Sequence, residues 1–149
     1  MRIGIETTWL GHRRAGVGTM VGEVINELEG RQDVELFLIH GGSGLLKHWR
    51  IYRQLKELQL DMLWQVGGWL PLFMPRGLKT VQTVHDLISF DHPEWFPQSG
   101  LSRWWSHTVR VRRALRKATW VHCVSEWTRQ QLLRHVPQVE DKAFVAHHG

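Results

Sequence analysis

The sequence predicts an α/β domain, a parallel sheet flanked by helices on both faces. Three observations carry that expectation. Short apolar runs of strand length alternate with segments of helical periodicity throughout the chain. Some runs, such as Val34, Leu36, Phe37, Leu38 and Ile39, are nearly continuous in apolar residues, the pattern of strands buried on both faces. Glycine-containing turns separate strands from the helices that follow them.

Arg2–Thr7 reads as the first strand, with Ile3 and Ile5 on one face. The loop Thr8–Gly18 holds Gly11, Gly16 and Gly18, and helical periodicity starts near Thr19 with Met20, Val21, Val24, Ile25 and Leu28. Gly30 is placed to end that helix. Asp33–His40 is the second strand, followed by the turn Gly41-Gly42-Ser43-Gly44. The spacing then predicts a helix over Leu45–Leu58, its apolar face carrying Leu45, Leu46, Trp49, Tyr52, Leu55 and Leu58. Lys47, His48, Arg50, Arg53 and Lys56 fall on its other, solvated face. Asp61–Val66 is a third strand, Gly67–Gly77 an apolar loop stiffened by Pro71 and Pro75, and Lys79–His85 a fourth strand. A long loop from Ser89 to Pro97 leads to a helix over Leu101–Lys117. Thr119–Val124 is the fifth strand, Ser125 an N-cap for the helix Glu126–His135, and Lys142–His147 a short sixth strand.

The chain has 149 residues, enough for one domain with a sizeable core and too few for two ordinary ones. Hydrophobic residues make up 42% and charged residues 22%, a globular balance that excludes a disordered tail or a low-complexity tract. The net charge of +5 favours anionic partners such as phosphates or an acidic membrane surface. No pattern of an RNA- or DNA-binding module is present, so nucleic acid is not among the expected partners. The single cysteine, Cys123, lies in an apolar run and reads as a buried core residue; a reducing, cytoplasmic location follows. Met1–Ile5 enters a strand pattern directly, with no secretory leader. No stretch reaches the roughly 18 apolar residues of a membrane span, which leaves the inner face of the membrane as a surface to lie on.

Four places could carry chemistry. The turn Gly11–Thr19 would let backbone approach a ligand, and the helix start behind it offers N–H groups to an anion. Its spacing fits neither Gly-x-Gly-x-x-Gly nor a P-loop, so phosphate proximity and a plain flexible turn both stay open. His85-Asp86 closes the fourth strand, and ligands in open α/β sheets bind beyond the carboxyl ends of strands. Adjacent strand residues point to opposite faces, so Asp86 is as well placed to cap the turn as to pair with His85. A metal cluster of His85, Asp86, Asp91 and His92 is the lesser alternative, and no metal is expected. The helix bearing Arg103, Trp104, Trp105, Arg110, Arg113 and Arg116 reads either as a core helix with a solvated basic face or as a contact for an anionic membrane. The loop Trp69–Met74 could plug the sheet, meet a partner or wall an acceptor site.

Four motifs in order then resemble a known family. Met1-Arg2-Ile3-Gly4-Ile5 leads to Gly16-Val17-Gly18, and Val84-His85-Asp86-Leu87-Ile88 is followed by Pro93-Glu94-Trp95-Phe96-Pro97. Val124-Ser125-Glu126-Trp127-Thr128 comes next, and Val145-Ala146-His147-His148-Gly149 last. Together they resemble the N-terminal, acceptor-side domain of a GT-B glycosyltransferase of the family-4 retaining group. The resemblance implies a Rossmann-like half of a GT-B fold. It also implies sugar transfer from a nucleotide-sugar to a glycan or lipid-linked acceptor, without a metal. His85 would reach the transferred sugar or the acceptor. Gly16, Val17 and Gly18 would lie near the donor diphosphate, and Asp86, Ser125 and Glu126 at the cleft edge. The nucleotide-binding C-terminal domain, with its acidic motif, is not among these 149 residues. The expected partner is therefore that domain, in this polypeptide or another, and little turnover is expected without it. Two rival readings are a non-catalytic module docking on a membrane or protein, and a nucleotide-binding regulator.

Overall fold

A computed structural model describes residues 1–7, 16–41, 46–66, 70–95 and 109–147. Its sheet has six strands in the order β2-β1-β3-β4-β5-β6. They are β1 (Arg2–Glu6), β2 (Glu35–Ile39), β3 (Met62–Gln65), β4 (Lys79–Val84), β5 (Trp120–Cys123) and β6 (Ala143–Val145). Every neighbouring pair is parallel. The helices are α1 (Gly16–Glu29), α2 (Lys47–Leu58), α3 (Ile88–Asp91), α4 (Val111–Lys117) and α5 (Glu126–His135).

Two cores lie on the two faces. On one, Ile3 and Ile5 of β1 meet Met20, Val21 and Ile25 of α1. On the other, Ile51 and Leu55 of α2, Val111 and Leu115 of α4 and Leu132 of α5 pack on Leu63, Val84, Val121 and Cys123. Alternate strand residues feed alternate cores, as the pleat requires. The predicted parallel α/β fold with helices on both faces is the observed one.

Several details differ. β2 is an edge strand paired only with β1, so its apolar run is not buried on both faces; Leu38 is 52% exposed. α1 begins at Gly16 rather than near Thr19, because Val17 continues the apolar stripe and packs on the α1 core. Gly16, Val17 and Gly18 are therefore the first turn of a helix, not part of a loop. α2 starts at Lys47, and its buried residues are Ile51 and Leu55, whereas Leu46 and Trp49 are exposed. The long loop after β4 holds α3 and a 3-10 turn over Pro93–Trp95. Only the end of the Leu101–Lys117 helix is described: residues 109 and 110 form a π-helical turn that runs into α4. Arg103, Trp104 and Trp105 lie outside the described residues, as does the Trp69 end of the apolar loop.

Candidate functional site

With all strands parallel, their carboxyl ends share one edge of the sheet. Glu6, Val66, His85 and Ser125 stand at or just beyond the ends of β1, β3, β4 and β5 on that edge. His85 is half-buried, with Nε2 2.8 Å from the Val66 carbonyl oxygen. A carbonyl only accepts, so Nε2 carries the proton, and in the neutral ring Nδ1 is the acceptor. Burial pushes the His85 pKa below its ordinary 6.5; His122 pushes the same way, while the Val66 hydrogen bond and Asp86 oppose. The net effect favours the neutral imidazole.

Asp86 does the turn-capping job open to it from the sequence: its Oδ1 accepts from the Ile88 N–H at 3.2 Å, at the start of α3. His85 and Asp86 are not a hydrogen-bonded dyad. The four residues of the metal alternative are likewise dispersed. Asp91 accepts from His135 at 2.8 Å and His92 sits 3.1 Å from Glu94. Among the described residues no three His, Cys, Asp or Glu side chains converge in a metal-binding group.

Ser125 caps α5 as predicted, its Oγ accepting from the Thr128 N–H at 3.1 Å. Thr128 Oγ1 also donates to the His85 carbonyl at 3.4 Å, which links the β4 end to the start of α5. Glu126 is exposed and pairs with Arg129 at 3.3 Å. Gly16 is exposed, with open space where a Cβ would stand, and Gly18 is buried in the first turn of α1. Arg113 donates to the Leu72 carbonyl at 2.7 Å, Arg110 is half-buried, and only Arg116 of the described arginines proposed for a membrane contact is exposed.

Beneath the edge lies a buried polar belt that the sequence reading passed over. Gln65 Nε2 donates to Glu6 Oε2 at 3.0 Å, and Lys47 Nζ stands 3.8 Å from the other Glu6 oxygen. Gln82 Oε1 accepts from the Leu70 N–H at 3.0 Å. The chain after β3 is therefore held at both roots: His85 takes the Val66 carbonyl and Gln82 takes the Leu70 amide. The available signal was polarity at strand positions whose neighbours are apolar, since a buried amide or carboxylate persists only when bonded.

On the opposite face, Trp64 Nε1 donates to Thr83 Oγ1 at 2.8 Å, and His122 Nε2 lies 2.8 Å from the Ala146 carbonyl. Nε2 must carry the proton there, so His122 Nδ1 accepts from the Thr83 hydroxyl at 3.2 Å. A groove of about 700 Å³ is lined by Met1, Asp61, Lys79 and Trp120 at the amino ends of the strands. That is the edge away from His85, and the rule for open α/β sheets gives precedence to the carboxyl edge.

The doubly covered, all-parallel sheet is consistent with one half of a GT-B glycosyltransferase fold. Residues 36–149 match the model of Glycosyltransferase Family 4, and the chain belongs to that family. The matched segment includes His85, Asp86, Ser125 and Glu126 and starts beyond Gly16, Val17 and Gly18. No curated protein matches the chain. Among the described residues, no helix is long and apolar enough to cross a membrane.

Proposed function

We propose that this domain forms the acceptor-side wall of a glycosyltransferase that moves a sugar from a nucleotide-sugar to a glycan or lipid-linked acceptor. One observation carries the reading. His85 stands immediately past β4 on the carboxyl edge, inside the family-matched segment, its ring held there by the Nε2 hydrogen bond to the Val66 carbonyl. An imidazole fixed at that edge is placed to meet a sugar hydroxyl and hold that sugar in register for transfer.

The other residues take supporting parts. Gly16, Val17 and Gly18 begin α1 at the same edge, where helix N–H groups suit a diphosphate. Asp86 and Ser125 hold the two turns that frame His85, and Glu126 stands at the rim. A nucleotide-sugar-binding C-terminal half, in the same polypeptide or a partner, supplies the facing wall. Without it the domain is expected to turn over little donor, and no metal is assigned a role.

The test is His85→Ala in an enzyme carrying both halves of the cleft. We expect kcat/KM to fall about 100-fold with the circular dichroism spectrum unchanged. An unaltered rate in a folded variant removes His85 from the mechanism.

A further inference from the structure

We propose that the starts of α2 and α4 form an anion pocket, in which His48, Arg110 and Arg113 take the phosphate group of a phosphorylated substrate. The topology brings the three together. α2 leaves the carboxyl edge after β2, and α4 descends from that edge toward β5. Both pack into the same core through Ile51, Leu55, Val111 and Leu115. Their first residues therefore sit side by side at the edge that carries His85.

Two of the three side chains there are guanidiniums, and the third is an imidazole held toward its neutral form. Arg110 Nε and His48 Nδ1 are buried without a hydrogen-bond partner. Arg113 donates to the Leu72 carbonyl, a neutral group. Among the described residues, no carboxylate forms an ion pair with any of the three. The nearby Lys47 is 3.8 Å from the buried Glu6. Burial pushes the Arg110 pKa down, and it pushes His48 down too, with Arg110, Lys47 and Arg113 adding repulsion.

Two half-buried guanidiniums beside a half-buried imidazole, with no carboxylate paired to them, are unfavourable by themselves. A dianion relieves the repulsion and fills the donors in one step. Two guanidinium forks match the tetrahedral oxygens of phosphate better than a single carboxylate does. The phosphate chemistry stands on these observations alone. Its assignment to an acceptor rests on the proposed function.

The experiment titrates the 149-residue chain with inorganic phosphate against chloride at matched ionic strength. The readouts are the His48 imidazole NMR signals and the melting temperature. We expect saturable shifts, a rise in the His48 pKa and a higher melting temperature with phosphate only. Arg110→Gln with Arg113→Gln should lose about ten-fold in affinity while melting no lower than the parent in chloride. Arg116→Gln, at the exposed far end of α4, should bind like the parent. Should the double variant not fold, His48→Gln reads the same loss of phosphate-dependent stabilisation. Equal responses to phosphate and chloride, or unchanged affinity in these variants, overturn the pocket. Displacement of phosphate by glucose 6-phosphate identifies a soluble source. Sedimentation with phosphatidylglycerol but not phosphatidylcholine vesicles, lost in the double variant, identifies a lipid source. Failure of both overturns the substrate role. A His85→Ala enzyme with full activity would overturn the acceptor assignment and leave phosphate binding standing.

Discussion

Ser125 shows how much one hydroxyl does on the carboxyl edge. It accepts from the Thr128 amide in the first turn of α5 and lies 3.0 Å from the Thr128 hydroxyl, which reaches the His85 carbonyl. Ser125→Ala should cost about 1 kcal/mol, the usual worth of an N-cap, measurable as a lower urea midpoint with an unchanged slope. Ser125→Asp should recover most of it, because a carboxylate caps as well and suits the helix dipole. Cys123 is the opposite case, a residue that does nothing at this edge. It is fully buried, its thiol is pushed up to about 11, and it remains protonated and inert as a core residue.

At the scale of the element, α2 is where periodicity and packing part company. Trp49 and Ile51 both qualify as apolar positions, but the helix turns Ile51 into the core and leaves Trp49 54% exposed against Tyr52. Gly41 explains the choice. A Cβ there would meet Ile51 Cδ1 at 2.6 Å and Cγ1 at 2.8 Å, so the missing side chain is the space that Ile51 fills. Ile51→Ala should therefore destabilise by about 3 kcal/mol, and Trp49→Ala by no more than about 0.5 kcal/mol, in paired urea titrations. The same rotation half-buries His48, which a purely solvated polar face would not have done.

Across the whole molecule, the half-buried histidines couple folding to pH. Burial lowers the pKa of both His85 and His48 in the folded chain. Between the ordinary imidazole value of about 6.5 and those lowered values, the unfolded chain binds more protons. Stability then rises with pH through that window, and it is lost as pH falls below about 6.5. Urea midpoints taken from pH 8 to pH 5 should show this acid-side decline. A variant with His48→Gln and His85→Gln should show a flatter one, and an equally steep decline in the variant would place its origin elsewhere.

Strand and helix content, the parallel α/β class, the Ser125 cap and the position of His85 just past a strand end were all legible in the linear chain. Each depends on local spacing: apolar runs, helical periodicity, and a polar residue where a strand ends. The edge position of β2 was not legible, because the number of partners a strand has is a property of the sheet, and Leu38 looks the same in either place. Nor was the belt of Glu6, Gln65 and Gln82, whose members come from three strands that only the β1-β3-β4 order places side by side. His48 is far in the chain from Arg110 and Arg113; it read there as part of a solvated face, and the two arginines as a solvated face or a membrane contact. Two helices packing on one core bring their starts to one edge of the sheet, where His48 Nδ1 and Arg110 Nε are buried without a hydrogen-bond partner.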